Sequence, residues 1–188
     1  MGSVSKVFSV ILRLGELACA AIIVGLLGWF LARVDEANVH TDPRIIYTMV
    51  IACIALALSI VLLPPFTYSF MAFPLDFIFF VLFLVAFCLL ETLTGNKPCN
   101  SSWYLTYWGY YWGGFFRTPT VTIIGPSDIG WSGCASWKAN LAFNFILSIV
   151  YLMNAGLGFY VVMKYREEKK AYRAAAQPGK TYNQPVAA

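Results

Sequence analysis

The sequence has little charge and almost no histidine. Of its 188 residues only 12% are charged, against about 25% in soluble domains, and His40 is the single histidine. One histidine excludes haem-pair and histidine-rich di-iron centres, and no two cysteines have the CxxC spacing of a zinc or redox motif, so we expect no metal. The sequence also lacks a G-x-S-x-G motif, a P-loop and any cluster of histidine with carboxylates. We therefore expect no catalytic residues and no enzymatic activity.

Apolar residues are abundant instead, at 60% of the chain, and the mean hydropathy is +0.69. Four windows reach the roughly 20 residues that a helix needs to cross a bilayer. Unpaired backbone groups are costly in lipid, so each window should be a helix. The predicted fold class is all-α, an integral membrane four-helix bundle. The predicted spans are about 14–33, 45–63, 73–93 and 139–163, and one larger outer loop covers 94–138.

Basic residues are concentrated near the two ends of the chain. The N-terminal segment and the tail together hold eight Lys and Arg residues, and the loops on the other side hold five that are offset by acidic residues. Basic residues stay preferentially in the cytosol, so both termini should be cytosolic. No basic stripe lies on a soluble surface, so we expect no nucleic-acid partner.

The outer loop contains the only two cysteines outside the spans, Cys99 and Cys134. In an oxidising compartment they can form a disulfide, and the alternative is a pair of free thiols. Asn100 begins the glycosylation sequon Asn-Ser-Ser beside Cys99. Whether a glycan is attached stays open at this point, because the motif is common and a glycan needs distance from the membrane.

Nine of the fourteen residues between 103 and 116 are aromatic. Such side chains settle at the headgroup level of a membrane, so one interpretation is a loop lying on the outer leaflet. A second interpretation is a surface that contacts lipids, sterols or the transmembrane helix of a partner. The candidate lipid or partner contacts are Trp103, Tyr107, Trp108, Tyr111, Trp112 and Phe115.

Small and polar residues within the spans predict helix packing. Asn140, Asn144 and Ser148 recur every four residues, which places them on one face of the fourth span. Facing lipid they would be unfavourable, so they should face other helices, with a polar conduit as the alternative. Ala21 and Gly25 form a similar small-xxx-small pair in the first span.

Three acidic residues lie near span ends. Asp76 follows Pro74 in the first turn of the third span, where the helix dipole stabilises a carboxylate. Glu16 can pair with Arg13 three residues earlier, and Glu91 lies near the outer surface. We interpret all three as structural, with a functional role as the alternative.

The pattern resembles the MARVEL-domain family, specifically its fungal branch of eisosome-associated and non-classical-export proteins. The matching features are the four-helix plan, the sequence PLDF at 74–77 that opens the third helix, and CNSS at 99–102 that starts the outer loop. Cys134 closes that loop before WKANLAF at 137–143 leads into the fourth helix. The resemblance gives a MARVEL-like transmembrane domain at 1–165. The charged, largely disordered cytosolic tail at 166–188 lies outside it, and should begin as a continuation of the fourth helix and then break at 177–179 into a disordered end.

This resemblance implies a non-enzymatic protein that organises sterol- or sphingolipid-rich domains of the plasma membrane. It would act by lateral self-association and lipid contact, so its expected partners are membrane lipids. No cofactor is expected beyond a possible bound sterol or sphingolipid. The expected assembly is a homo-oligomer or a larger membrane protein complex. The alternative is an accessory subunit of a larger membrane enzyme or pump, docking through the fourth helix or the aromatic outer loop. A small transporter or channel, supported only by the acidic residues, is third.

Overall fold

A computed structural model describes residues 3–62, 73–117 and 126–175 of the chain. All regular structure in this part of the chain is helical. Four of the helices are long and apolar enough to cross a membrane, as the sequence predicts. The elements are α1 (Ser3–Glu36), α2 (Pro43–Leu62), α3 (Phe73–Thr94), a π-helical turn (Tyr104–Trp108), α4 (Gly109–Trp112), a 3-10 turn (Phe115–Arg117), α5 (Pro126–Trp131) and α6 (Cys134–Ala175).

Local signals set the helix ends around the bilayer. α2 begins at Pro43, whose missing N–H is not needed in the first turn, and the Asp42 carboxylate accepts a hydrogen bond from the Arg44 N–H at 2.9 Å. α3 ends just before Gly95, which adopts a φ of +55° and donates its N–H to the Glu91 carbonyl at 2.7 Å. The turn between α1 and α2 and the turn after α3 lie at the same end of the bundle, which is here named the loop end.

The four long helices form a closed ring in which α1 packs on α2 and α6, and α3 packs on α2 and α6. Each helix buries one stripe at three- and four-residue spacing and leaves its other faces outward. On α2 this stripe includes Ile45, Ala52 and Ala55, and on α3 it includes Phe83 and Leu90. The opposite end of the bundle, where α1 begins and α6 leaves, is named the terminal end.

The fourth span differs most from its predicted bounds. α6 begins at Cys134 and runs as one helix to Ala175, well beyond 163. The charged first part of the tail, residues 166–175, continues this helix, because an existing helix needs no new nucleation and alanine, lysine and glutamate extend it readily. The predicted break at 177–179 and the connection at 64–72 lie outside the described residues.

Candidate functional site

A disulfide closes the segment between α3 and α6. Cys99 and Cys134 are bonded, with Cα atoms 5.5 Å apart, so the first residue of α6 is tied to the start of the outer segment. This agrees with the disulfide predicted from the sequence. Asn100, the predicted glycosylation site, is exposed beside the bond. The outer segment is thus held at both ends on the loop end of the bundle.

The aromatic run forms a folded cap rather than an extended loop. Trp108 is completely buried, and its ring stacks on Phe30 of α1 at a centroid distance of 4.3 Å. Trp137 of α6 and Trp112 pack against the same ring at 4.7 and 5.2 Å. The expectation that Trp108 contacts lipid or a partner is therefore wrong, because the helix ends bury this ring inside the chain.

Polar atoms of the buried rings are satisfied within the cap. The Tyr104 hydroxyl donates to the Ser132 carbonyl at 2.6 Å, and the Trp108 indole N–H donates to the Gly133 carbonyl at 3.1 Å. The Trp137 indole N–H donates to the Thr94 hydroxyl at 3.2 Å. Burial raises the pKa of Tyr104 to about 12, since the phenolate would lose its contact with water. The cap is therefore a hydrogen-bonded core and not only an apolar cluster.

Two glycines permit this packing. Gly133 has a φ of +72°, and a Cβ there would lie 2.5 Å from the Trp112 ring. At Gly109 a Cβ would lie 2.8 Å from the Ile129 carbonyl oxygen. Any larger residue at these two positions would clash with its neighbours, so the close packing of the cap requires glycine there.

The cap is also attached to the turn between α1 and α2. The Tyr107 hydroxyl donates to the His40 carbonyl at 3.1 Å and accepts a hydrogen bond from the Asp42 N–H at 3.2 Å. Burial raises the pKa of Tyr107. The Arg117 guanidinium forms two hydrogen bonds to the Glu36 carboxylate at the end of α1. All four long helices are consequently linked at the loop end.

Other aromatic side chains of the cap keep part of their surface outward. The five remaining predicted contacts are partly exposed: Trp103, Tyr107, Tyr111, Trp112 and Phe115. Trp131 at the end of α5 is 87% exposed, far more than any of these. Trp131 lies outside the aromatic run, so the density of aromatic residues did not single it out. A lone tryptophan between glycines in an outer loop was nevertheless a usable signal.

At the terminal end, four side chains from three helices form a buried polar cluster. Arg13 donates through Nη1 to Oδ1 of Asp76 and through Nη2 to Oδ2, both at 2.7 Å. Nη1 of Arg13 also donates to Oε2 of Glu16 at 2.8 Å, and Asn154 of α6 donates to the other oxygen of Glu16. All four residues are less than 5% exposed. This cluster joins α1, α3 and α6.

The partner of Asp76 is the feature that the sequence did not predict. The Arg13–Glu16 pair was predicted from its spacing, but the carboxylate of Asp76 was assigned to the helix dipole alone. In the structure its main partner is Arg13, 63 residues away. A signal did exist: one arginine and two acids at the same predicted membrane level should share a site, because lone charges in lipid are costly.

The polar face of α6 lies inside the bundle. Asn140, Asn144 and Ser148 are completely buried, which agrees with the packing interpretation. The Asn144 amide donates to the carbonyl and side-chain oxygens of Asn140 at 2.8 and 3.2 Å. The prediction for α1 is wrong as far as this bundle is concerned, because Ala21 and Gly25 face outward and a Cβ at Gly25 would meet nothing. The larger Ile23 and Leu27 fill the interior instead.

These sites can bind, pack and present surfaces. In the part of the chain that the structure describes, no group of three His, Cys, Asp or Glu side chains could hold a metal ion. The buried charged groups of the terminal end, Arg13, Glu16 and Asp76, are paired with one another. The buried amides of α6, Asn140 and Asn144, face the inside of the bundle. What the bundle offers to the membrane is an apolar exterior and a partly exposed aromatic cap.

Comparison with known proteins agrees with this architecture. A family model described as MARVEL, membrane-associating domain, matches residues 6–157, which contain the cap and at least part of each of the four long helices. No curated protein and no solved structure matches the chain. The family is a membrane-organising and generally non-enzymatic one, and its members are embedded in the membrane. This chain belongs to the MARVEL family of membrane-associating domains.

Proposed function

We propose that this protein organises sterol- or sphingolipid-rich domains of the plasma membrane, through lateral self-association and lipid contact, with both termini cytosolic. The observation that carries the proposal is that the buried charges are paired inside a largely apolar bundle whose exterior is also apolar. Arg13 pairs with both Glu16 and Asp76 inside the bundle, while large apolar side chains cover its outside. A molecule built in this way interacts with its surroundings mainly through lipid and through other apolar helices.

The aromatic cap supports the lipid-contact part of the proposal. It is rigid, because a disulfide and several internal hydrogen bonds fix it, and Trp131 extends from it with 87% of its surface exposed. Tryptophan prefers the membrane interface, where the ring and the indole N–H are both satisfied. A ring attached to a fixed backbone distinguishes between lipid packings better than a ring on a flexible loop could, since binding costs the backbone little entropy.

The outward face of α1 supports the self-association part. Ala21 and Gly25 are exposed, and nothing in the bundle lies close to Gly25. Small residues at this spacing let helix backbones approach closely in lipid. The polar face of α6 offers no such surface, because Asn140 and Asn144 are buried. The accessory-subunit alternative therefore loses one of its two docking surfaces and keeps only the cap.

Two substitutions test the two parts separately. Trp131→Ala should disperse the tagged protein from its membrane domains, whereas Tyr172→Ala, which removes a 79% exposed ring from the other end of the molecule, should not. Gly25→Leu should lower energy transfer between differently tagged copies in the same membrane, because the larger side chain separates the helices. Unchanged clustering and unchanged energy transfer in these variants, with normal folding, would refute the proposal.

A further inference from the structure

An apolar groove opens between α3 and α6 at the terminal end of the bundle. Its volume is about 510 Å³, within the roughly 300–1,000 Å³ typical of small-molecule sites. Phe77 and Ile78 line it from α3, and Gly156 and Phe159 line it from α6. A Cβ at Gly156 would meet no atom of the chain, so the missing side chain leaves open space. The groove faces outward into the apolar layer, where hydrocarbon can enter it.

The same face of α6 becomes basic where the helix leaves the membrane. Arg166 and Lys170 follow Phe159 by seven and eleven residues, and at about 100° per residue both lie within about 20° of it around the helix axis. Glu167 and Glu168 lie about 80° and 180° away from Phe159. The acids of the tail are thus turned away from the groove, and the two cations stand in line with it.

These two cations are free to meet a ligand. Both side chains are exposed, and neither forms an ion pair with any residue that the structure describes. Arg166 lies about 10 Å along the axis beyond Phe159, since each residue of a helix adds about 1.5 Å. Headgroups begin where the hydrocarbon core of about 30 Å ends, so a cation about 10 Å beyond a ring in the outer part of that core lies at headgroup level. Asp76, the acid of α3 beside the groove, is buried and paired with Arg13, so its charge is partly offset before an anion approaches.

We propose that this groove binds an anionic glycerophospholipid of the leaflet next to the chain termini. An acyl chain lies against Phe77, Gly156 and Phe159, and the headgroup phosphate is held by Arg166 and Lys170. Charge complementarity selects the anionic class, and the open space at Gly156 admits the chain. This site goes beyond the proposed function, because it lies at the opposite end from the cap and uses a different face from Gly25.

The test uses the full chain at one copy per nanodisc, so that self-association plays no part. The discs contain phosphatidylcholine with a minor share of phosphatidylserine, and one of the two lipids carries a photoreactive group near the end of an acyl chain. Mass spectrometry then measures labelling of α6 around Gly156. We expect labelling by phosphatidylserine to exceed labelling by phosphatidylcholine after correction for their amounts.

Matched variants separate the groove from general attraction to an anionic surface. Arg166→Gln with Lys170→Gln should reduce the preference by up to about 30-fold, because each basic residue near an anionic lipid surface contributes about fivefold. Lys164→Gln with Lys169→Gln removes the same charge from other faces of the helix and should retain most of the preference. Gly156→Leu should reduce labelling by both lipids, whereas Gly25→Leu should leave it unchanged.

Several results would overturn the proposal. They are equal labelling by the two lipids in the unmodified protein, equal losses in the two charge pairs, and normal labelling of the Gly156→Leu variant. Loss of labelling when two copies share a disc would also overturn it, since the groove would then be covered by a second copy. Failure of clustering in cells would refute the proposed function and leave this result unaffected.

Discussion

Replacing Arg13 with methionine removes the one cation that two buried carboxylates share. In the intact protein the guanidinium makes three charge-assisted hydrogen bonds of 2.7–2.8 Å to Glu16 and Asp76. Methionine has a similar length and can fill the space, but it leaves both carboxylates buried without their counter-ion. Breaking a buried ion pair in this way costs about 3–5 kcal/mol, and proton uptake by the stranded acids keeps the cost from rising further.

The free energy of unfolding is measured by titrating the purified protein from mild detergent into a denaturing detergent and following tryptophan fluorescence. Arg117→Met provides the matched control, because Arg117 also binds a carboxylate, that of Glu36, through two hydrogen bonds, but in an exposed position. Water and ions screen that pair, so its loss should change stability far less. The comparison therefore isolates the effect of burial on the same type of interaction.

A second substitution tests the cause. Adding Asp76→Leu to Arg13→Met replaces one of the two stranded acids with an apolar side chain, and should recover part of the lost stability, since removing both partners of a buried pair costs less than removing one. If Arg13→Met were no more harmful than Arg117→Met, or if Asp76→Leu made the loss larger, the charge cluster would not hold the terminal end together as argued.

Three further predictions concern the cap. Gly133→Ala should lower the free energy of unfolding by about 2 kcal/mol or more in the same titration, because alanine is strained at a φ of +72° and its Cβ meets the Trp112 ring; full stability would contradict the packing described. Cys134→Ser should cost about 4 kcal/mol, from the 35-residue separation of the disulfide. Reduction should change the mobility of the native chain in gel electrophoresis and leave that of the variant unchanged. Burial raises the pKa of Tyr104 to about 12, so in the folded protein this hydroxyl should stay protonated well above the ordinary tyrosine pKa of about 10. The stability that it contributes is therefore complete below a pH of about 10 and is lost as the pH rises towards 12. Difference absorbance spectra of the native chain and Tyr104→Phe would detect this ionisation, and a normal tyrosine pKa would show that the hydroxyl is in contact with water.

The number of spans and the character of the protein could be predicted from the sequence, because membrane insertion depends on local properties. Twenty apolar residues cross the bilayer wherever they occur in a chain, and a carboxylate before a proline caps a helix by contacts within its own turn. The inward face of Asn140 and Asn144 followed from their spacing, since amides are costly against lipid. The MARVEL resemblance rested on similar short motifs, and the family match confirms it at the level of the domain.

Other features depend on which helices become neighbours, and here local patterns do not suffice. Ala21 and Gly25 could equally have faced inward, and only the position of α1 between α2 and α6 turns them outward. The burial of Trp108 required Phe30 of α1 and Trp137 of α6, which are far apart in the chain, to meet at the loop end of the bundle.

The sequence by itself determined that this is a four-span helical membrane protein, because hydrophobic length acts locally. Tertiary structure alone decided that Arg13 binds Asp76, that the aromatic run folds into a cap, and that a groove remains open between α3 and α6. Each of these depends on distances between residues far apart in the chain, and such distances exist only once the helices have packed.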